Sequence, residues 1–499
     1  MPATVLSRAQ VGMEAPLVHV EAFLGPGLPS FTLVGLPETA VKEARERVRS
    51  AIVTAKYEFP DGRIIVNLSP ADLPKEGGRF DLPIALGLLV ASGQLPEGQL
   101  AGCEFFGELS LNGELRPIRG ALPAVFRAAN DGHRVVMPKA NVAEAMIVHS
   151  GRVGGAAHLL EVCAHLKGDA PLEFCTGSAA FEGAPAADHG NLADIRGQAF
   201  ARRALEVAAA GAHSILFTGP PGTGKSMLAH RLPGILPPMT EAEAFESATV
   251  ASVSNRGFRL SEWGRRPFRA PHHTVSGVAL VGGGSPPRPG EISLAHHGVL
   301  FLDELAEFER RVLEVLREPL ETGRIVISRA ARQEEFPARF LLVAAMNPCP
   351  CGYLGMPDGR CHCSPLQISR YRSRVSGPLL DRIDLQVEVP PVDAAVLASE
   401  AEGEASDAVL TRTTRAREAQ LNRGHGPNGI LVTRQIEQHC RMQPAARLLL
   451  ERSVRKLGLS ARACHRVRKV ARTLADLEGR EVLGVRQVAE AIQLRRGAV

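Results

Sequence analysis

The stretch ILFTGPPGTGKS, residues 215–226, decides how this chain is read. Ile215, Leu216 and Phe217 form a short apolar run of the kind that builds a buried strand. The run leads into Gly219, Pro220, Pro221, Gly222, Thr223, Gly224, Lys225 and Ser226, which fit G-x-x-x-x-G-K-[ST] at every position. Glycines let backbone N–H groups close around a phosphate with no Cβ in the way. The helix-forming MLAHRL that follows would aim its N-terminus at the same anion. Lys225 is then placed to reach the β- and γ-phosphates, and the Ser226 hydroxyl to ligate Mg2+. A strand before the loop and a helix after it are the context this motif requires, so the chain is expected to bind a nucleoside triphosphate.

Two further apolar runs end in polar residues suited to that ligand. Gly298-Val-Leu-Phe-Leu-Asp303-Glu304 reads as a strand closing on two carboxylates. Asp303 can hold the water shell of Mg2+, and Glu304 can orient the attacking water. Phe340-Leu-Leu-Val-Ala-Ala-Met346 ends in Asn347, either a γ-phosphate sensor or a plain turn asparagine before Pro348. Gly377-Pro-Leu-Leu-Asp-Arg382-Ile-Asp384 puts an arginine beyond the sheet. Such a cation can stabilise phosphoryl transfer by about 10³–10⁵ in rate, or it can be a surface ion pair.

Composition sets the frame for these motifs. A chain of 499 residues, 45% hydrophobic and 22% charged, is expected to be globular and multidomain. It has no apolar run long enough for a membrane span and no basic-then-apolar leader, so a cytoplasmic location with no membrane partner is expected. The net charge of +5 permits nucleic acid as a partner without demanding it.

Residues 1–165 mix short strands and helices, an α+β pattern. Ala40–Tyr57 has helical period, Arg63–Asn67 and Val135–Pro138 read as strands, and Phe80–Leu95 as an apolar helix. Residues 166–190 have the Gly, Ala, Pro and Ser composition of a linker. Residues 191–395 hold the nucleotide motifs, an α/β module. Residues 396–499 are largely helical, with periodic segments at Pro444–Leu457, Ser460–Leu477 and Val485–Leu494. Arg462, Arg466, Lys469 and Arg472 fall on the more exposed side of the second of these.

Longer motifs carry a resemblance. RPFRAPHHTVS (266–276), VGGGSPPRPGEISLAHHGVLFLDEL (281–305), LREPLETGRIVISRA (316–330) and AMNPCPCGY (345–353) resemble the YifB/ComM family of magnesium chelatase-like AAA+ ATPases. The likeness implies ATP with Mg2+, Walker A at Lys225 and Ser226, Walker B at Asp303 and Glu304, and sensor 1 at Asn347. It also implies an arginine finger at Arg382, acting from a neighbouring protomer of a ring, usually a hexamer. Sensor 2 falls at Arg462 in a C-terminal lid, with Arg466 the alternative. Arg269-Ala-Pro-His272-His273 resembles an insert that points into the ring's pore, and Arg324 and Arg329 a hairpin; both are candidate DNA contacts.

Pro74–Asp81, Gly107-Glu108, Pro117-Ile118 and Met137–Asn141 resemble a Lon-protease-type domain. The positions of the protease serine and lysine fall on Arg79 and Leu122. A serine–lysine dyad needs a hydroxyl and an amine, so this domain is expected to be non-proteolytic. The activity the family implies is DNA branch migration, a helicase-type motor in homologous recombination and natural transformation. The alternatives are a magnesium chelatase-like or protein-remodelling ATPase without helicase activity.

Four of the nine cysteines lie in two C-x-C pairs, Cys349/Cys351 and Cys361/Cys363. Four thiolates can close tetrahedrally around a structural Zn2+, leaving no open position for water; four unligated thiols are the alternative. Cys103, Cys163, Cys175, Cys440 and Cys464 are scattered and expected to be packed apolar residues.

Overall fold

Alternating runs near the N-terminus pair into one mixed sheet in a computed structural model of the chain, which describes residues 2–36, 43–177, 189–329, 332–356, 359–393 and 403–495. The strands are β1 (Ala3–Arg8), β2 (Leu17–Gly25), β3 (Ser30–Val34), β4 (Arg63–Ser69), β5 (Cys103–Phe105), β6 (Arg134–Pro138), β7 (Arg152–Ala156) and β8 (Phe174–Thr176). Their order is β8-β7-β6-β5-β1-β2-β4-β3. In β4 every second residue, Ile64, Val66 and Leu68, is buried. Burying each such side chain contributes about 1.5–3 kcal/mol. Helix α1 (Ala44–Thr54) buries Ala44, Val48, Ala51 and Ile52 at helical spacing, and residues 40–42 of the expected helix lie outside the described residues. Helix α2 (Asp81–Ala91), apolar on nearly every side, packs on β1 and β2.

These elements belong to one of two compact units, Met1–Glu182 with Ala248–Trp263 and Ser328–Glu335. Arg79 is buried in it, donating to the carbonyls of Arg8 (3.2 Å) and Arg119, and burial lowers its pKa to about 10. Leu122 is fully buried. Within the linker-like 166–190, Phe174–Thr176 is a strand paired antiparallel with β7, while 178–188 lie outside the described residues. Cys175 on that strand is exposed, unlike the buried Cys103, Cys163 and Cys440, because it stands on the sheet's edge.

The second unit, Gly183–Ser247 with Gly264–Ile327 and Phe336–Val499, is built on an all-parallel sheet. Its strands are β9 (Ile215–Thr218), β10 (Phe268–Arg269), β11 (Val299–Leu302), β12 (Leu341–Met346) and β13 (Leu385–Glu388). Their order is β10-β11-β12-β9-β13. Every residue of β9, β11 and β12 is buried, which is why these runs are continuously apolar rather than alternating. The core continues into helices α3 (Ala199–Gly211), α4 (Lys225–Arg231), α5 (Ser406–Asn422), α6 (Pro444–Leu457), α7 (Ala461–Leu477) and α8 (Val485–Gln493). Residues 394–402, which include the expected 395/396 boundary, lie outside the described residues.

Helix α7 starts at Ser460, whose hydroxyl accepts from the Ala463 N–H (3.1 Å), and buries Val467, Val470, Ala471 and Leu474. The expected exposed basic face needs correction. Arg472 is buried: its guanidinium donates to the carbonyls of Arg480 and Glu481 and pairs with Asp476 at 2.9 Å. The turn after the helix folds back over it. Among the described residues no helix is long and apolar enough to cross a membrane.

Candidate active site

The carboxyl ends of β9, β11 and β12 bring the sequence motifs together, the edge at which open parallel sheets bind ligands. Between β9 and α4 the loop turns through Gly222 (φ +77°) and Gly224 (φ +88°), left-handed conformations that favour glycine. The Lys225 ammonium donates to the carbonyls of Gly219 (2.7 Å) and Pro220 (2.8 Å) and to Asn347 Oδ1 (3.2 Å). It is nearly buried, and among the described residues no carboxylate lies within ion-pairing distance of it. Burial pulls its pKa down, opposed by the more distant Asp303. Thr223 Oγ1 closes the loop on the Pro220 carbonyl at 2.9 Å.

Asp303 follows β11 directly. Its Oδ2 accepts from Ser226 Oγ at 2.7 Å, and its Oδ1 from the Glu304 N–H at 2.9 Å. Glu304 has φ +52° and an exposed side chain whose Oε2 lies 3.3 Å from His273 Nδ1. In the segment expected to form a pore insert, Arg269 makes a bidentate pair with Glu291 (2.6 and 2.7 Å), His273 lies beside Glu304, and His272 is exposed. The cause is β10, which lies beside β11 and carries the following segment to the same edge of the sheet. A two-residue strand leaves no periodic signal, so the approach of His273 to Glu304 is not legible in the sequence. In the hairpin, Arg324 is exposed while Ile325 and Ile327 are buried; the Arg329 side chain is not described.

Arg382 sits between the short helix Gly377–Leu380 and β13, and it is buried rather than free on a surface. Its guanidinium donates to the carbonyls of Arg317 (3.1 Å) and Pro378 (2.8 Å) and to Glu321 Oε2. Exposed Arg462 reaches the other oxygen of the same carboxylate, Glu321 Oε1, at 3.0 Å. Arg466 pairs instead with Asp384. No spacing in the sequence announces Glu321, because its partners are 61 and 141 residues away.

The description "Magnesium chelatase, subunit ChlI" matches residues 191–397, "Subunit ChlI of Mg-chelatase" matches 20–141, and "Magnesium chelatase, subunit ChlI C-terminal" matches 403–495. The chain is 50% identical over 499 residues to competence protein ComM of Haemophilus influenzae, covering 99% of this chain and 97% of that protein. It is 47% identical over 494 residues to YifB of Salmonella typhimurium, covering 99% and 97%. The chain belongs to the YifB/ComM family. This magnesium chelatase-like family is one of AAA+-like ATPases, with ATP and Mg2+ as its general requirements. A shorter likeness, 30% identity over 155 residues, is to the magnesium-chelatase 38 kDa subunit of Acidiphilium rubrum, covering 27% of this chain and 45% of that protein.

In this YifB/ComM chain the four clustered cysteines converge. Their sulfurs all lie within 4.8 Å of one another, with Cys349–Cys351 at 3.3 Å, Cys349–Cys361 at 3.8 Å and Cys351–Cys361 at 3.7 Å. Tetrahedral Zn–S bonds of about 2.3 Å put sulfurs about 3.8 Å apart, so the donor set fits. The loop also abuts the phosphate loop: a Cβ on Gly352 (φ +86°) would stand 2.8 Å from Pro221 Cδ. A second group, Glu246, His296 and His297, has metal-like spacing but the wrong chemistry. The Arg339 N–H donates to His296 Nδ1 (3.0 Å), so the ring proton sits on Nε2 and points to Glu246 (3.0 Å). No lone pair on that ring is left for a cation, and burial lowers the pKa of His296 to about 4.

Proposed function

We propose that this chain hydrolyses ATP at the β9–β11–β12 edge and couples the turnover to branch migration of DNA. The observation that carries the hydrolase reading is the Lys225 ammonium, buried in the phosphate loop with only carbonyl and amide oxygens within hydrogen-bonding distance. A buried cation short of a counter-charge is matched to an anion such as a triphosphate. On this reading Gly219–Ser226 bind phosphate, with Lys225 reaching the β- and γ-phosphates. Ser226 and Asp303 would hold Mg2+, which when bound offsets the charge of the triphosphate. The Glu304 carboxylate orients the attacking water and takes its proton, and Asn347 registers the γ-phosphate.

Arg382 is proposed to act on the nucleotide of a neighbouring protomer in a hexameric ring, with Arg462 as the lid's sensor. Residues 1–165 are proposed as a non-proteolytic Lon-like domain, 191–395 as the AAA+ domain and 396–499 as the helical lid. The whole is proposed to act in the cytoplasm. The DNA part is supported by the family resemblance and by the 50% identity to a protein named for competence, and a net charge of +5 permits it. ATPase turnover with and without four-way junction DNA, at two salt concentrations, tests it. Stimulation by the junction that weakens at higher salt is expected, because phosphate contacts release counterions. Turnover indifferent to DNA favours the second reading, a chelatase-like or remodelling ATPase, which the 30% identity to the magnesium-chelatase subunit supports.

A structural Zn2+ is proposed at Cys349, Cys351, Cys361 and Cys363. Its place would be to fix the loop that follows Asn347 against Pro221.

A further inference from the structure

Between Gly359 and Leu380 the chain carries Arg360, Arg370, Arg372 and Arg374 and no aspartate or glutamate. The start of this segment is tied down by sulfur: Cys361 Sγ lies 3.8 Å from Cys349 Sγ and 3.7 Å from Cys351 Sγ. Helix Pro365–Arg372 begins directly afterwards with a capping box. Ser364 Oγ accepts from the Gln367 N–H (3.3 Å), and Gln367 Oε1 accepts from the Ser364 N–H (2.8 Å). Tyr371 is buried on the inner side, and Arg372 is directed inward to the Pro348 carbonyl (3.3 Å). The outer side carries Leu366, 70% exposed, and four residues on the exposed Arg370. The turn continues to exposed Arg374, whose N–H donates to the Tyr371 carbonyl (3.2 Å). Exposed Arg360 stands over the Tyr353 ring, 5.4 Å from its centroid. Among the described residues no carboxylate pairs with Arg370, whereas Glu307 meets Arg374 at 2.8 Å.

We infer that this cysteine-anchored segment is a DNA-backbone contact, in which Arg360 and Arg370, with Arg374 beside them, bind phosphates. The inference rests on the proposed reading of DNA as the partner. A charge of +5 spread over the whole chain only permits DNA, but here the positive charge is gathered on one short, acid-free segment. The sulfur cluster and the capping box hold that segment in one shape, so little order has to be gained on binding. Guanidinium forks match the paired oxygens of a phosphate. Such contacts position a protein on DNA without reading its bases, so the grip is independent of sequence. Glu307 competes with phosphate for Arg374, which therefore contributes less than Arg370.

The test is fluorescence anisotropy of a labelled four-way junction titrated with the full chain at several salt concentrations, with sedimentation and thermal unfolding of the free chain in parallel. Arg360→Gln with Arg370→Gln removes two charges from exposed side chains and should leave the melting temperature unchanged. The expected result is an affinity lower by about fiftyfold at about 0.1 M salt, roughly eightfold for each lost phosphate contact. The plot of log affinity against log salt should become shallower by about 2. Glu307→Gln, which releases Arg374, should tighten binding severalfold. A double variant with the affinity and salt slope of wild type overturns the inference. So does a loss that accompanies altered sedimentation, which would make this face a contact between copies of the chain. A Glu307→Gln chain that binds no tighter overturns the part given to Arg374. A wild-type chain that shows no salt-dependent binding to the junction overturns the DNA reading itself, so the two failures are told apart.

Discussion

The guanidinium of Arg382 is bonded to the carboxylate of Glu321 within its own chain, and Arg462 holds the other oxygen of that carboxylate. One exposed glutamate thus tethers both arginines proposed to act on nucleotide, and the two arginines hold its pKa below the usual carboxylate range. To serve a neighbouring protomer, Arg382 has to leave this carboxylate for a phosphate. Arg382→Ala and Lys225→Ala chains should each be inactive alone. Mixed, they should regain measurable turnover, because some interfaces then combine an intact Lys225 with an intact Arg382. Mixtures that stay as inactive as the parents would place Arg382 outside a shared site.

Lys225 gives an opposite expectation for stability. Most buried polar residues are missed when removed, but this ammonium is desolvated without a carboxylate partner. Lys225→Met should abolish turnover and leave the nucleotide-free melting temperature no lower than wild type, since an apolar chain of similar length sheds the desolvation cost. A fall of more than about 4 °C, equivalent to about 2 kcal/mol or more, would show the lysine to be a structural clasp for the loop.

How far this could be read in advance depends on whether an element announces itself locally. Val299–Leu302 and Leu341–Met346 are buried on both faces, so an uninterrupted apolar run identified them, and the polar residue after each run marked the sheet edge. The cysteine pairs were legible for the same reason, being close in sequence. The approach of His273 to Glu304 was not, because β10 is two residues long and its placement comes from pairing with β11. Arg472 misled because a helical period gives the direction of a side chain and not what folds over it. Glu321 is a purely tertiary partner.

Zinc can be sought directly. The purified chain should carry about one zinc per protomer, and Cys351→Ser with Cys361→Ser should remove it. Because Gly352 abuts Pro221, the metal-free double variant should also lose turnover, by about ten- to a hundredfold. Elemental analysis showing no zinc in chain purified under reducing conditions without chelator would leave four free thiols. Zinc present but without effect on turnover would confine its role to local folding.

Asp384 predicts how acid weakens the second unit. It is almost fully buried where β13 begins, accepting from Arg466 and lying 3.1 Å from His213 Nδ1; His213 Nε2 is in turn 2.7 Å from Thr473 Oγ1 of α7. Burial alone would raise its pKa from 3.8, but Arg466, His213 and Lys469 outweigh it and hold the carboxylate well below that value. A carboxylate depressed in the folded state binds fewer protons than in the unfolded chain. Its stabilisation is therefore complete above about pH 4 and is lost as pH falls through the folded pKa. Asp384→Asn leaves Arg466 without its counter-charge and should cost about 3–5 kcal/mol at neutral pH. Urea midpoints measured from pH 7 down to pH 3 should show the gap between wild type and Asp384→Asn constant at first and narrowing below about pH 4. A gap that stays the same throughout would mean that the amide loses packing or hydrogen bonds rather than charge.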